Sequence, residues 1–106
     1  IERINACKTA GIKDVIIDPG FGFGKTIEHN YTLLKQLNSF SFLNVPILVG
    51  LSRKSMIYKP LEISIEESLP ATTALHLFSL QNGAKILRVH DVKAAKQAID
   101  LFHLLA

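Results

Sequence analysis

Short apolar runs alternate with amphipathic stretches along the whole chain. Three runs have the length and the β-branched content of buried strands, and they occupy residues 14–18, 45–52 and 85–90. Apolar residues recur at helical spacing in four other stretches, residues 1–11, 30–40, 69–82 and 92–106. This alternation of helix and strand predicts an α/β fold with parallel strands joined by right-handed crossovers.

Proline, glycine and aspartate mark where several of these elements begin or end. Pro70 lies in the first turn of the third helix and Gly83 lies just past its end, positions where these residues are favoured. Residues 53–64 are predicted to form a loop before that helix. Asp91 is the predicted N-cap of the last helix. The inner face of the last helix is expected to carry Val92, Ala95, Ile99 and Phe102.

Each predicted strand is apolar and then turns polar at its carboxyl end. The polar residues are Asp18 after the first strand, residues 52–55 after the second, and Arg88 and His90 in the third. Because side chains alternate across a strand, Asp18 shares a side with Ile16, and Arg88 shares a side with His90. The carboxyl ends of parallel strands are where α/β folds bind ligands, so these residues predict a binding site.

The segment DPGFGFGK, residues 18–25, places three glycines at alternate positions. A phosphate loop would need a glycine at Pro19, and a dinucleotide-binding loop would need one at Lys25, so neither motif is met. Alternate glycines would let the backbone approach a flat ligand, with Phe21 and Phe23 as aromatic surfaces. A tight turn between strand and helix also explains the glycines, and the pattern leaves both interpretations open.

Charged groups at the strand ends are candidates for ligand contacts. The ionised carboxylate of Asp18 can accept two N–H bonds from an amidine-like edge, or it can open a turn before the proline that follows it. The cations Arg53 and Lys54 suit an anionic group. Arg88 offers a planar fork for phosphate oxygens, and His90 can donate another bond. The remaining histidines lie in helical segments and are interpreted as structural, namely His29, His76 and His103.

Composition and charge exclude several other classes of protein. The 106 residues are 48% hydrophobic and 20% charged, which suits one small globular domain over residues 1–106. The net charge of +3 is spread without a basic cluster, which argues against nucleic-acid binding. No apolar run reaches the ~20 residues of a membrane span. Cys7 is the one cysteine, in line with a reducing cytosol, and no cluster of ligand residues predicts a metal site.

The sequence shows no pairing of a nucleophile with a base. Any catalysis is therefore expected to rest on positioning of the reactants and on charge stabilisation rather than on a covalent intermediate.

Three stretches taken together resemble a known family. They are IIDPGFGFGKTIEHNYTLL, PILVGLSRKSMI and GAKILRVHDV, and they are similar to the C-terminal part of bacterial dihydropteroate synthases. The resemblance implies a (β/α)8 TIM barrel, of which residues 1–106 would be the C-terminal portion, about three strand–helix units. It also implies an enzyme that condenses dihydropterin pyrophosphate with p-aminobenzoate to give dihydropteroate and pyrophosphate. A start at Ile1 within a helical pattern, with Met56 as the one methionine, fits a piece of a longer protein.

The resemblance assigns a role to each residue that matches the family's motifs. The roles are pterin binding by Asp18, Lys54 and Arg88, aminobenzoate binding by Phe23 and Ser55, pyrophosphate binding by Arg88 and His90, and catalysis by Lys54, Arg88 and His90. The glycine segment would then form a wall of the pterin and aminobenzoate pockets.

The resemblance also implies what the chain would need from elsewhere. Mg²⁺ would be held by residues outside this chain, sulfonamides would target the enzyme, and the protein would be a cytoplasmic homodimer. The chain alone is expected to be inactive, because the family's early loops are missing from it. Two alternatives are a pterin-dependent methyltransferase domain and a non-catalytic half-barrel that serves as an association module. The stretches SRKS and RVH argue against the methyltransferase, because they suit aminobenzoate and pyrophosphate better than a methyl carrier.

Overall fold

The computed structural model describes residues 16–22 and 24–106, and within them the chain is an α/β structure. We label the strands β1 (Ile47–Val49) and β2 (Ala84–Leu87), and the helices α1 (Ile27–Lys35), α2 (Ser55–Leu61), α3 (Leu69–Gln81) and α4 (Val92–Leu105). Two short 3₁₀ helices cover Leu37–Leu43 and Glu66–Ser68. The helix predicted over residues 1–11 lies outside the described residues.

The strands run parallel, as the alternation of elements predicted. β1 pairs with β2, with Ile47 opposite Ala84 and an irregularity in the register after that pair. On the other side of β1, the Ile17 N–H donates to the Pro46 carbonyl over 2.9 Å, and the Leu48 N–H donates to the Ile17 carbonyl over 2.7 Å. The first predicted strand therefore contributes a single parallel bridge within the described residues, and β1 lies between Ile17 and β2.

Apolar side chains from the strands and from α1 and α2 form the core. The most buried members of this cluster are Leu34, Leu37, Ile47, Val49, Leu51, Met56 and Ile57. Helices α3 and α4 pack against each other beside β2. The loops that follow β1 and β2 leave this core at the same edge of the sheet, which positions the polar residues described below.

Helix α1 begins three residues before its predicted start at residue 30. The Thr26 hydroxyl oxygen accepts a hydrogen bond of 3.0 Å from the His29 N–H, so Thr26 is the N-cap. The α-helix ends at Lys35, and the chain continues as the 3₁₀ helix Leu37–Leu43. The prediction was right about the helix and wrong about its bounds, because the cap lies outside the apolar pattern.

The loop predicted over residues 53–64 is wrong in its middle, where α2 forms. Pro60 lies inside this helix and cannot donate to the Met56 carbonyl one turn earlier. The Tyr31 hydroxyl donates to that carbonyl instead, over 2.7 Å. Burial of Met56 and Ile57 then anchors the helix to the core. The proline made the segment resemble a loop, whereas a tyrosine from another helix satisfies the carbonyl that the proline leaves free.

The last two helices follow the sequence pattern with two corrections. Asp91 precedes α4, but its side chain makes no capping hydrogen bond because the carboxylate binds Arg53. Val92 was expected on the inner face and is 71% exposed, while Ala95 and Ala98 are buried. Helix α3 spans Leu69–Gln81 with Pro70 in its first turn, as predicted. Within the described residues, no helix has the length and apolar character to cross a membrane.

Candidate functional site

An ion pair joins Asp18, which follows the bridge residue Ile17, to Arg88, which follows β2. The Arg88 Nη1 lies 3.2 Å from Asp18 Oδ2, and both side chains are partly exposed. The other carboxylate oxygen, Oδ1, accepts a hydrogen bond of 2.9 Å from the Gly20 N–H. Asp18 therefore shapes the turn with one oxygen, as the turn interpretation predicted, and presents the other to a cation. Its binding of an amidine-like edge stays a prediction.

Gly50 makes room for the Arg88 guanidinium, and the sequence interpretation missed it. A Cβ atom on Gly50 would lie 2.4 Å from Arg88 Nη2 and 2.7 Å from Cζ, closer than atoms can approach. Glycine at the end of β1 thus lets the planar side chain from the loop after β2 lie against the backbone. The signal was present in the sequence, because glycine at the end of a buried strand often marks such a close approach.

Lys54 reaches from the loop after β1 to the glycine segment. Its Nζ donates to the Phe21 carbonyl over 2.7 Å. Burial lowers the pKa of Lys54 below its usual value, the charges of Arg88 and Lys25 lower it further, and Asp18 partly offsets the shift. The Lys54 ammonium group therefore loses its proton more readily than that of an ordinary lysine, and it lies between the ends of two strands.

An open cleft of about 670 Å³ lies between the glycine segment and the start of α2. Its lining residues are Gly20, Phe21, Gly22, Gly24, Lys25, Lys54 and Ser55. Lys25 adds a second ammonium group that the sequence interpretation left unused. The cleft brings Lys54 and Ser55 together as predicted, whereas Phe23 lies outside the described residues.

The glycines of this segment are required by its backbone, and a buried amide holds it in place. Gly20, Gly22 and Gly24 have φ angles of 77°, 111° and 84°, which favour glycine. The Gly22 N–H donates to Asn30 Oδ1 over 2.9 Å, and Asn30 is 2% exposed. Phe21 was expected to offer an aromatic surface to a ligand, but its side chain is 5% exposed and packs in the core. That expectation is wrong for Phe21, because the turn directs the ring inward.

His90 lies beside the same site and contacts Ser52. The His90 Nδ1 is 3.0 Å from the Ser52 hydroxyl oxygen, which also accepts a bond of 3.3 Å from the His90 N–H. His90 and Ser52 line a smaller cavity of about 110 Å³ together with Arg88 and Lys54. Ser52 is buried, and the sequence interpretation gave it no role of its own.

Arg53 was grouped with Lys54 as a cation for an anionic ligand, and the structure corrects this. Its guanidinium is engaged by Asp91, with Nε–Oδ2 at 2.8 Å and Nη2–Oδ1 at 2.6 Å. The hydrogen bonds between the two side chains raise the pKa of Arg53 and lower that of the Asp91 carboxyl. Lys54 and Arg88 are therefore the cations that the loops after β1 and β2 direct toward the cleft and Asp18.

The chemistry of the site follows from its charges. Three cations (Lys25, Lys54 and Arg88) and the carboxylate of Asp18 lie at one edge of the sheet. Within residues 16–22 and 24–106, no group of three His, Cys, Asp or Glu side chains is placed to hold a metal ion. Such a site suits an anionic ligand that also offers N–H donors to a carboxylate.

The chain is an α/β protein with charged side chains at the carboxyl ends of parallel strands, where such folds bind ligands. A family model described as "Pterin binding enzyme" matches residues 1–90. The chain therefore belongs to the family of pterin-binding enzymes.

Individual members of the family are similar to this chain over nearly its whole length. A dihydropteroate synthase of Haemophilus influenzae is 46% identical over 107 residues, which cover 99% of this chain and 39% of that protein. The crystal structure of the Yersinia pestis dihydropteroate synthase gives a TM-score of 0.91 at 38% identity, covering 98% of this chain and 50% of that one. A Coxiella burnetii dihydropteroate synthase in complex with pteroic acid gives a TM-score of 0.91 at 41% identity, with 98% and 40% covered. The chain thus spans about two fifths of the length of the curated relatives it matches.

Proposed function

We propose that this chain forms part of the active site of a dihydropteroate synthase, which joins dihydropterin pyrophosphate to p-aminobenzoate. The observation that supports this most directly is the meeting of Asp18, Lys54 and Arg88 at one edge of the sheet. A carboxylate for a pterin N–H edge and cations for a pyrophosphate are the groups that this reaction needs. The similarity to proteins named dihydropteroate synthase supports the same function.

We also propose that the described sheet is part of a (β/α)8 barrel that other strands complete. Within the described residues, Ile17, β1 and β2 form only one side of such a sheet. Ile16, which precedes the bridge, is 52% exposed although it is apolar. Further strands packed beside Ile17 and β2 would cover apolar surface of this kind and remove the open edges.

The pterin would bind at Asp18. Among the residues that the structure describes, Asp18 Oδ2 accepts a hydrogen bond only from the partly exposed Arg88, and it could exchange part of that contact for two N–H groups of the pterin ring. Lys54 would bind the edge of the same ring, and the Arg88 guanidinium would stack on its face or bind the pyrophosphate. The Coxiella burnetii relative, solved with pteroic acid, supports a ligand that contains a pterin.

The aminobenzoate would lie in the open cleft beside Ser55. The Ser55 hydroxyl can donate to its carboxylate, and Phe23 would supply an aromatic wall. The positive charge of Lys25 at the same cleft would favour a carboxylate over a neutral group.

Arg88 and His90 would hold the pyrophosphate as it leaves. The bond between the exocyclic carbon of the pterin and the bridging oxygen breaks, and its electron pair departs with the pyrophosphate. The pterin ring stabilises the resulting cation, the neutral amine nitrogen forms the new C–N bond, and the proton it loses passes to water. The protein contributes fixed positive charge where negative charge develops.

The implied Mg²⁺ stays a prediction, and the described residues do not fit it. The Asp18 carboxylate is already engaged by the Gly20 N–H and by Arg88. In the described part of the chain no carboxylate lines the cleft, and no group of three His, Cys, Asp or Glu side chains is placed to hold a metal ion. The homodimer, the cytoplasmic location and the sulfonamide target also stay predictions.

Product formation by the natural polypeptide that contains these residues tests the function. We expect dihydropteroate and pyrophosphate to appear in equal amounts from the two substrates, with a sulfonamide competing against p-aminobenzoate. Binding of a pterin without either effect would contradict the proposal and favour the methyltransferase alternative. Arg88→Ala should abolish turnover, while Lys96→Ala, on the exposed face of α4, should leave it unchanged.

A further inference from the structure

The loops that follow β1 and β2 are tied together at two consecutive positions. We define the β1 loop as residues 50–54 and the β2 loop as residues 88–91. Ser52 contacts His90 through both the backbone N–H and the ring of the histidine. Arg53, the next residue, contacts Asp91, the next residue of the other loop. In the sequence, the cation Lys54 directly follows Arg53, and the cation Arg88 lies two residues before His90.

We infer that Arg53 and Asp91 are a positioning pair, which fixes the β1 loop against the β2 loop so that Lys54 and Arg88 face one ligand, and which does not itself contact that ligand. The consequence for ligand binding rests on the proposed function. The consequence for the two loops rests only on the described contacts.

The geometry of the pair is specific to arginine. Two parallel bonds of 2.8 and 2.6 Å join Nε and Nη2 to the two carboxylate oxygens, an arrangement that fixes both distance and orientation. The side chains are 31% and 23% exposed, so water competes with them only in part. Two of the five N–H donors of the guanidinium, on Nε and Nη2, are thus directed at Asp91 rather than at a ligand.

The backbone of Arg53 gives independent evidence that this residue is held in place. Its φ angle is 56°, in the left-handed region that a non-glycine residue adopts at a cost. The Arg53 N–H donates to the hydroxyl oxygen of Thr72, a side chain that is 1% exposed, over 3.3 Å. This conformation turns the chain so that Lys54 reaches Phe21 across the cleft. A glycine would adopt it freely, so the side chain of Arg53 is needed for something other than the turn.

The chain offers a matched ion pair for comparison. Lys96 and Asp100 lie one turn apart on α4, at 2.6 Å, with side chains that are 66% and 54% exposed. That pair joins two residues of one helix and makes one contact, so it fixes no loop. A substitution there removes a similar charge without the proposed effect.

The test compares Arg53→Ala, Asp91→Asn and their double variant with Asp100→Asn, in the natural polypeptide that contains these residues. The Asp91 side chain makes no capping bond to α4 and asparagine is nearly the same size, so Asp91→Asn tests the charge with little risk to folding. The first readout is amide hydrogen exchange at Lys54 and His90 without ligand. The second is the affinity for dihydropterin pyrophosphate.

We expect each single variant to speed exchange at both amides about tenfold, and the double variant to do no more than a single one, because coupled partners are not additive. Affinity should fall in the same pattern, with Arg53→Lys recovering part of it, and Asp100→Asn should match the wild type in both readouts.

Unchanged exchange at Lys54 and His90 in both single variants would overturn the inference. So would losses of affinity that multiply in the double variant, because they would mean that Arg53 and Asp91 act on the ligand independently. A wild-type protein that does not bind the ligand would contradict the proposed function, while the exchange rates would still decide whether the pair fixes the loops.

Discussion

The position of a side chain in the site can depend on one atom of a neighbouring residue, and the Cβ atom that Gly50 lacks is the simplest example. It carries no charge, yet any side chain at this position would collide with the Arg88 guanidinium. Asn30 acts in a similar way on the glycine segment, because its buried amide accepts the Gly22 N–H. Gly50 and Asn30 thus help to place the groups that are proposed to bind the ligand.

Gly50→Ala should separate binding from stability. The clash falls on the end of a flexible side chain, and the backbone at Gly50 lies outside the left-handed region, so we expect the free energy of unfolding to change by less than ~1 kcal/mol. The displaced Arg88 should lower the affinity for dihydropterin pyrophosphate about tenfold or more, because a charge-assisted contact is lost. Chemical denaturation and calorimetry measure the two quantities.

The double variant Gly50→Ala/Arg88→Ala is the control for this prediction. It should bind no more weakly than Arg88→Ala alone, since the guanidinium is already gone. A further loss in the double variant would show that Gly50 acts on the ligand by another route.

His76 is a buried histidine of α3 that the site does not use. It is 2% exposed, and its Nδ1 has no hydrogen-bond partner among the described residues. Burial lowers the pKa of His76 below its usual value of 6.5, although the charge of Asp91 opposes the shift. The folded protein therefore keeps His76 neutral at a pH where the unfolded chain has begun to bind a proton.

His76→Leu should make the protein less sensitive to acid. The unfolded state binds more protons below pH 6.5, so wild-type stability falls as the pH drops through that value, and the leucine variant lacks this loss. At pH 7.5 the variant should be about 1 kcal/mol more stable, since an unpaired buried nitrogen is removed. Unfolding midpoints from pH 7.5 to 5 measure the effect.

His103→Leu, at an exposed position of α4, is the matched control for the substitution itself and should change the free energy of unfolding at pH 7.5 by less than ~0.5 kcal/mol. A stability difference between His76→Leu and the wild type that does not grow as the pH falls would contradict the assignment of His76 as a neutral buried group.

At the scale of elements, the sequence pattern predicted most helices and strands because apolar spacing and end signals agree there. Helix α3 has its proline and its glycine at the expected ends. β1 and β2 overlap the predicted runs 45–52 and 85–90, but they are shorter, and Arg88 and His90 lie after β2 rather than within it. The pattern failed for α2 because the partner of the Met56 carbonyl is Tyr31, 25 residues earlier in the chain. Rules that consider only neighbouring residues in the sequence cannot predict that contact.

The candidate site was likewise predicted only in part from the sequence. Asp18, Lys54, Ser55, Arg88 and His90 were predicted from their places at strand ends and from the resemblance, and the structure brings them to one edge of the sheet. Whether they bind the predicted ligands stays a prediction. The pairing of Arg53 with Asp91 depends on packing between two loops 38 residues apart, so a reading of each motif alone could not find it. Gly50 did have a signal in the sequence, a glycine at the end of a buried strand, but that signal does not name Arg88 as the residue that approaches it.

Tyr31→Phe should weaken the attachment of α2 to α1. The variant leaves the Met56 carbonyl without a donor, because Pro60 has no N–H to offer. An unpaired buried carbonyl costs about 1–3 kcal/mol, so we expect the free energy of unfolding to fall by that amount. Denaturant titration measures it.

Tyr58→Phe removes a hydroxyl elsewhere on α2 and serves as the control, with an expected change below ~0.5 kcal/mol. Equal effects of the two substitutions would show that the contact between Tyr31 and Met56 does not anchor the helix.

At the scale of the whole molecule, the proposed barrel would place further strands beside Ile17 and beside β2. Ile16, which precedes the bridge at Ile17, is apolar and exposed, and the cleft beside Ser55 is open. Ligand contacts from residues outside this chain would close the site. We therefore expect residues 1–106 to provide binding groups for the pterin and the pyrophosphate without sufficing for turnover.

The central claim is that Asp18, with the cations around it, binds a pterin pyrophosphate. The most direct test is calorimetric titration of dihydropterin pyrophosphate into the natural polypeptide that contains these residues, beside Asp18→Ala and the control Lys96→Ala. We predict saturable binding by the wild type and by Lys96→Ala, and none by Asp18→Ala. A folded wild-type protein that gives no binding heat, or an Asp18→Ala variant that binds as tightly as the wild type, would contradict the assignment of this site.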